Sequence, residues 1–534
     1  MSETKTQDAI FAFLTDLSSG LSHGAQVKRI DTHANVVFLV GEKAYKVKRA
    51  VKFPFLDYST LEKRAEACHR EITHNIQNAP QLYLAAVPIT RNANGVLAFN
   101  GDGDIVEWAV EMNRFNQAFQ LDRIARTAPL TRALCDDLAA MLVSAHEAAP
   151  VKPDATAQFY AELCSYVDQN DQAFSEYPAL FPPTAAKHLT QQSRRWLDRI
   201  KPLIFERGAL GHIRNCHGDA HLGNIVLLNN KPVLFDAIEF SDAMATTDTL
   251  YDLAFLLMDL WEQDQHPAAN LVFNRYFDKA PTPIAAAKST ETEAADPEGL
   301  AALPFYLMMR AAIRAKIAAS AAQTQQDEAA KSLLRKQAAT YFNQAIAFLD
   351  VKAPILIAIG GLSGTGKTTL AYGLAPHLGR PPGARVLRSD VERKKRLGLA
   401  ETDKAPEEAY SNTASTAVYA ALDQCIQTTL ASGHSAIFDA VFSKEAERQH
   451  LETIASNSEA DFCGLWLEAP ADVSKARVAA RTEDASDATP NIVDRQQGYD
   501  IGHMNWAVID AGQAPEDTAS TARLALKESL TSEP

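Results

Sequence analysis

Cysteine is scarce in this 534-residue chain. The six present (Cys68, Cys135, Cys164, Cys216, Cys425 and Cys463) are scattered, with no C-x-x-C pair and no histidine at metal-ligand spacing. That usage argues against a disulfide framework or a zinc site and fits a reducing compartment. Long apolar runs are missing as well. The longest, around Pro354 to Leu362, is far short of the roughly 20 residues that span a bilayer, so no membrane association is expected. The N-terminal MSETKTQDAIFAFL carries an early acid and no extended apolar stretch, which argues against a secretion signal; the expected location is cytoplasmic. Positive charge is in deficit, with 52 Lys and Arg against 66 Asp and Glu for a net charge of −14. A chain without a basic footprint is not expected to bind nucleic acid, although local phosphate pockets stay compatible with it. No repeat of fixed period is present, which excludes a solenoid.

The composition is that of an ordinary globular protein, 46% hydrophobic and 22% charged, over a length that implies two or three domains. The stretch Lys279 to Gly299, KAPTPIAAAKSTETEAADPEG, is small, polar and Pro-containing and reads as a surface excursion within the first domain. Apolar residues at helical spacing run from Leu300 to about Ile317, and again from about Glu328 to Leu349. The helical pattern stops at Pro354, where the strand-like run ILIAIGG begins. The expected division is therefore a domain over residues 1–350 and a second over 351–534.

The strongest pattern of the first half is CHGDAHLGNIVLLNNKPVLFDAIEFSD, Cys216 to Asp242. The runs IVLL and PVLF flank Asn229-Asn230, the signature of a hairpin with an Asn-rich turn. Folding that hairpin brings Asp219, Asn224 and Asp236 to one end. Two acids and an amide there suit the orientation of a hydroxyl and the holding of magnesium on ATP phosphates. Upstream, VVFLVGEKAYKVKRAVKF alternates like two strands joined at Gly41-Glu42, and CHREITHN is helical in character.

These residues resemble the catalytic core of aminoglycoside phosphotransferases and of the related choline- and homoserine-kinase-like enzymes, whose pattern is HGDxxxxN followed by a metal-binding Asp. The resemblance implies a two-lobed, protein-kinase-like α+β domain from roughly Gln26 to Leu349. By position, Asp219 resembles the base that receives the acceptor hydroxyl's proton, and Asn224 and Asp236 resemble the magnesium ligands. His217 is expected to orient the loop. Ala44-Tyr45-Lys46 resembles the A-x-K strand whose lysine holds ATP phosphates, with Glu71 as its ion-pair partner; Lys48 lies on the same strand face, and the sequence leaves the choice between them open. IVEWAVEMNRF resembles the strand and hinge that cradle adenine, the hinge at Glu111 to Asn113. YDLAFLLMDLW resembles the family's next helix, with Asp252 bonded to the catalytic loop. One feature departs from the kinase pattern: the G-x-G-x-x-G loop is absent, and IDTHANVVFL stands in its place.

The second half opens on a buried strand, a Gly-rich turn and a helix, ILIAIGGLSGTGKTTLAYGLA. Gly361-x4-Gly366-Lys367-Thr368 satisfies the P-loop pattern, with Ser363, Gly364, Thr365 and Thr369 in the same cradle. Glycines let backbone N–H groups wrap phosphates at a helix N-terminus, Lys367 reaches the β- and γ-phosphates, and the Thr368 hydroxyl faces magnesium. From about Ala353 to Leu530 the chain resembles an AAA-type P-loop domain of the zeta-toxin and gluconate-kinase group. The implied fold is a three-layer α/β domain with a mostly parallel sheet. After the strand ending at Leu387, Asp390 resembles the acceptor-binding residue and base, with Arg388 and Arg393 beside it; Asp390 also fits the N-cap of a basic, solvated helix. Asp439 ends a third strand at a Walker-B-like position, with Arg448 on the helix after it. Arg477 and Arg481, four apart on one expected helix, resemble lid arginines that stabilise the transferring phosphoryl group, and Gln496 and Gln497 are candidates for the same element.

Together these patterns imply an ATP- and magnesium-dependent enzyme with two nucleotide sites, each moving the γ-phosphate to a hydroxyl of a small-molecule acceptor such as a sugar, an amino alcohol or a nucleotide sugar. Two alternatives stand beside that expectation. One is a P-loop kinase or ATPase regulated by an inactive, ligand-sensing kinase-like domain, and the other is a toxin-like stress regulator that phosphorylates nucleotide sugars.

Overall fold

The computed structural model describes residues 3–17, 27–53, 56–280, 299–481 and 485–531. The polar excursion expected over Lys279 to Gly299 falls, apart from its ends, outside the described residues. By contacts the chain divides into two compact units, Met1–Ser165 with Ile204–Gln263, and Tyr166–Leu203 with Asp264–Pro534.

The first unit is built on a six-stranded antiparallel sheet. Its order is Lys28–Asp31, Asn35–Val40, Lys43–Lys48, Asp104–Asn113, Tyr83–Arg91, Leu97–Phe99. Strands Asn35–Val40 and Lys43–Lys48 pair with Val40 opposite Lys43, so the turn is the two residues Gly41-Glu42, and Gly41 takes a positive φ of 56° that a two-residue hairpin demands. The helix Leu61–Asn75 lies against the strands Tyr83–Arg91 and Asp104–Asn113 and is started by Thr60, whose hydroxyl accepts from the Lys63 amide. The second hairpin, Ile225–Leu228 with Lys231–Leu234, turns at Asn229 and Asn230, both left-handed at φ 52° and 62°. Asparagine tolerates that conformation, which is why the Asn pair marks the turn. Beneath the hairpin's open end runs the helix Thr249–Glu262, almost wholly buried.

The second unit holds a five-stranded sheet in the order Arg385–Arg388, Ala436–Asp439, Ile355–Gly361, Asp461–Glu468, Ala507–Asp510, with every pair parallel. The strand Ile355–Gly361 begins immediately after Pro354 and is buried along its whole length. Its alternate residues feed opposite layers: Ile355, Ile357 and Ile359 pack with Leu370, Leu374 and Leu526, while Leu356 and Ala358 pack with Leu422, Phe438 and Leu451. A sheet covered on both faces in this way reads as a continuous apolar run, and that run made it visible. The same unit contains the long helices Leu303–Thr324 and Glu328–Leu349, which pair through the short link capped by Asp327, and the helix His266–Lys279.

Candidate active sites

In the first unit the hairpin does bring the motif residues to one end. Ile225 pairs with Leu234, so Asn224 and Phe235 adjoin, and the Phe235 amide donates to the Asn224 carbonyl. Asn224 spends its side-chain nitrogen on Asp219, donating to the backbone oxygen and to Oδ2 at 3.0 Å each. Its side-chain oxygen is then the atom left for a cation, which fits a hard oxygen ligand. His217 holds the loop from within. Its Nδ1 accepts from the Asp219 amide, its Nε2 lies 3.0 Å from the Phe235 carbonyl, and burial lowers its pKa, so the ring is neutral with the proton on Nε2. The buried helix Thr249–Glu262 adds two carboxylates a pair of turns apart. Asp252 accepts from the Gly218 amide at 3.0 Å and Asp259 from the Leu222 amide at 2.9 Å.

Asp236 takes a left-handed conformation at φ 65°, a strained place for a residue with a side chain. The strain is held by neighbours. The Asp236 amide donates to the Tyr83 hydroxyl at 3.1 Å, and the next amide, Ala237, donates to Asn75 Oδ1 at 2.9 Å. Asn75 ends the same helix that carries Glu71. Lys46 Nζ lies 2.8 Å from Glu71 Oε1 and 2.6 Å from Asp236 Oδ1. Burial works against the charge on Lys46, but Asp236 and Glu71 outweigh it and raise its pKa well above the ordinary lysine value. Lys48 points into the same interior, fully buried, and pairs with Glu71 Oε2 and with Glu239, which also accepts from the Tyr58 hydroxyl at 2.8 Å. Glu71 is thus shared by two lysines, and only Lys46 also reaches Asp236. Glu239 carried no motif in the sequence; its one signal was an acid three residues after Asp236 inside the apolar run FDAIEF. Glu111 to Asn113 end the strand Asp104–Asn113, where Asn113 accepts from Lys43 and donates to the Gln81 carbonyl.

In the second unit the strand–turn–helix of the P-loop is complete. Gly361, Gly364 and Gly366 have φ of 142°, 88° and 94°, and a Cβ at Gly364 would meet the Ser474 backbone oxygen at 2.5 Å. Only glycine allows that close passage. The helix Lys367–Leu374 starts at Gly366. Lys367 Nζ donates to the Leu362 carbonyl at 3.1 Å, and burial lowers its pKa while Asp439 and Asp390 push the other way. Thr368 Oγ1 donates to Asp439 Oδ2. A hydroxyl and a carboxylate joined like this form a donor set that fits magnesium. Asp439 also faces Arg388, whose Nε is 3.7 Å away.

Asp390 sits in the first turn of the helix Ser389–Arg396 but is not its cap; Arg388 occupies that position. Burial raises the Asp390 pKa, opposed by Arg388 and by a hydrogen bond from Ser486. Two basic residues of that helix, Arg393 and Lys394, are buried, while Arg396 is exposed to solvent. Arg393 donates to the Ala409 carbonyl and lies over the Tyr410 ring, and Lys394 donates to Asp487 at 3.0 Å. The lid arginines correct an expectation. The helix ends at Ala479, so Arg477 lies on it and Arg481 beyond it. The helix cannot carry both on one face because Ala480 already closes its last turn. Arg477 is tied to the carbonyls of Ala511 and Gln513, whereas Arg481 is near enough to Lys367 to depress its pKa. Residues 482–484 of the expected polar lid loop lie outside the described residues. Arg448 is a buried strut, donating to the carbonyls of Phe442, Ile501 and His503. Gln496 meets the P-loop itself, its Oε1 accepting from the Ser363 amide at 2.8 Å.

Among the described residues no helix is long and apolar enough to cross a membrane. Comparison with known proteins gives two family matches. Residues 103–287 match the model described as the phosphotransferase enzyme family, and residues 356–499 match an AAA domain. Uncharacterized proteins of Mycobacterium tuberculosis and Mycobacterium bovis are each 26% identical over 485 residues, covering 89% of this chain and 91% of their own. Among solved structures, a choline/ethanolamine kinase family protein from Mesorhizobium loti is 13% identical with a TM-score of 0.34, covering 64% of this chain and 99% of that one. A gluconokinase from Sinorhizobium meliloti is 18% identical with a TM-score of 0.24, covering 34% and 99%. The chain is a phosphotransferase that carries a phosphotransferase-enzyme-family domain followed by a nucleotide-binding, P-loop kinase-like domain.

Proposed function

We propose that the chain is a double ATP-dependent phosphotransferase, each site passing the γ-phosphate of magnesium-bound ATP to a hydroxyl of a small molecule. The observation that carries the reading is the gathering at the hairpin end. Lys46 joins Glu71 and Asp236, while Asn224 binds the Asp219 carboxylate. Asp219 accepts the acceptor hydroxyl's proton, Lys46 holds the nucleotide phosphates, and Asn224 and Asp236 are the residues that would hold magnesium. In the P-loop site, Lys367 and the backbone amides of Gly364 and of Gly366 to Thr369 take the phosphates, Thr368 and Asp439 would hold the metal, and Asp390 receives the acceptor proton. Arg481 lies on the phosphate side, beside Lys367. Magnesium supplies neutralisation of phosphate charge. The raised pKa of Asp390 brings a carboxylate nearer to the range useful for a general base. The acceptor class is a sugar, an amino alcohol or a nucleotide sugar.

Calorimetric titration with magnesium and ATP tests this on the wild type, Asp236→Ala and Lys367→Ala. Two binding events are expected, with one weakened at least about tenfold in each variant. A single event, lost only in Lys367→Ala, would refute the double-site reading and leave the first domain as a ligand sensor.

A further inference from the structure

The edge strand of the P-loop sheet, Arg385–Arg388, is covered on its open side by a helix from far upstream. An uncovered edge leaves amides and carbonyls unpaired. Here the helix His266–Lys279 supplies the partners from residues one turn apart. The Val386 amide donates to Asn274 Oδ1 at 2.7 Å, and the Ala384 carbonyl accepts from Asn270 and Asn274 at 3.0 and 3.1 Å. Asp278 accepts from Arg385 at 3.0 Å. Both asparagines are fully buried. This helix belongs to the stretch matched by the phosphotransferase family, yet these bonds all go to the stretch matched by the AAA domain.

The same helix extends a chain of charge to the P-loop. Arg275 pairs with Glu401 Oε2, and Glu401 Oε1 lies 3.2 Å from Arg388. Arg388 in turn faces Asp439, which accepts from Thr368. Arg275 and Arg388 are both buried. We propose that Arg275 is a positioning residue of the P-loop site, acting through Glu401 and Arg388 on Asp439. The inference rests on the reading of that site as a phosphotransfer centre.

Charge is shared along this path. With Arg275 occupying one oxygen of Glu401, Arg388 is divided between the other oxygen and Asp439. Without Arg275, Glu401 has Arg388 alone and closes on it with both oxygens, the favoured geometry for a carboxylate and a guanidinium. That draws Arg388 away from Asp439 and from the neighbourhood of Lys367. Nucleotide affinity, carried mainly by the P-loop amides, changes little. Turnover, which depends on charge placed around the reacting phosphate, changes more.

The test uses the full chain, with magnesium and ATP for turnover and magnesium and ADP for calorimetry. P-loop turnover is the ATP hydrolysis that Lys367→Ala abolishes. Arg275→Met is expected to lower it about tenfold, a middling effect for groups coupled in one network, with ADP affinity at the P-loop changed less than about twofold. Arg275→Lys, which keeps the charge, restores most of the turnover. Glu401→Gln, on a side chain that is 24% exposed and so safer for folding, leaves Arg388 to Asp439 and by itself lowers turnover less than about threefold. Adding it to Arg275→Met restores most of the turnover, because the carboxylate that captures Arg388 is then gone. Lys367-dependent turnover that survives Arg275→Met undiminished, or a double variant no more active than Arg275→Met, overturns the inference alone. A wild type without any Lys367-dependent turnover overturns the phosphotransfer reading of the P-loop and the inference with it.

Discussion

Lys46 and Lys48 sit two residues apart on one strand and share one glutamate, yet removing them should do opposite things. Lys48 has no exposed side-chain surface, and its partners Glu71 and Glu239 are 0% and 7% exposed. Lys48→Met strands two buried carboxylates with the single cation of Lys46 between them. Removing one partner of a buried ion pair costs about 3–5 kcal/mol. For a unit of this size each kcal/mol lowers the melting temperature by about 2–4 °C, so a fall of about 6–20 °C is expected. Lys46→Met leaves Glu71 with Lys48, and Asp236, at 42% side-chain exposure, turns to water. Its stability cost is about 1–2 kcal/mol, since one partner is resolvated and the other stays paired. Nucleotide binding should respond the other way, because only Lys46 stands beside Asp236. In a Lys367→Ala background, which silences the P-loop, Lys46→Met weakens binding of magnesium and ATP by at least about tenfold. Lys48→Met, measured well below its melting point, weakens it less than about threefold. Thermal melts and calorimetry on the two variants decide it. A Lys48→Met protein that melts like wild type but loses nucleotide would refute the assignment and exchange the two roles.

Two further expectations concern the second unit. His434 is buried, its Nε2 donating to the Leu300 carbonyl, and burial together with the Arg380 charge lowers its pKa to about 3. Above about pH 6.5 both folded and unfolded states keep it neutral; below that the unfolded chain takes the proton first, so stability falls by about 1.4 kcal/mol per pH unit down to about pH 3. At pH 5 the loss is about 2 kcal/mol, and His434→Gln, which keeps a donor, should flatten the pH dependence of urea unfolding by that amount; an unchanged slope refutes it. Arg448 is fully buried and serves three carbonyls, so Arg448→Met should destabilise this unit by on the order of 3–5 kcal/mol, read as a thermal shift, and a shift of less than about 2 °C would mean the three carbonyls find other donors.

The elements legible in the sequence are those fixed by neighbours along the chain. The Gly41-Glu42 and Asn229-Asn230 turns arise from conformations that glycine and asparagine tolerate, and the P-loop from a glycine spacing that a helix start requires. The convergence of Asp219, Asn224 and Asp236 was legible for the same reason, since a hairpin of known turn places its own ends. Helix length was less secure: Arg477 and Arg481 share a helical spacing, but the helix stops between them. Spacing alone does not reveal where a helix ends when no glycine or proline marks the stop.

The partners that stayed hidden are those that meet only in three dimensions. Lys46 and Lys48 have the same period-two address on their strand, and nothing local separates them. The distinction lies in Asp236 and Glu239, almost two hundred residues away, which pair with Lys46 and Lys48 respectively. Gln496 belongs to no motif that names its partner, and it accepts from a P-loop amide. The helix His266–Lys279 is the clearest case. Asn270, Asn274 and Asp278 recur every fourth residue, a spacing that ordinarily marks a solvated polar stripe. That stripe is instead buried, because an edge strand presents a row of amides and carbonyls that only polar side chains can satisfy. A polar face at helical spacing therefore has two meanings, water or the edge of a sheet, and only the partner strand tells them apart. When the partner lies beyond the boundary suggested by the motifs, as the strand Arg385–Arg388 does here, a helix within one family-matched stretch spends its side chains on the architecture of the other.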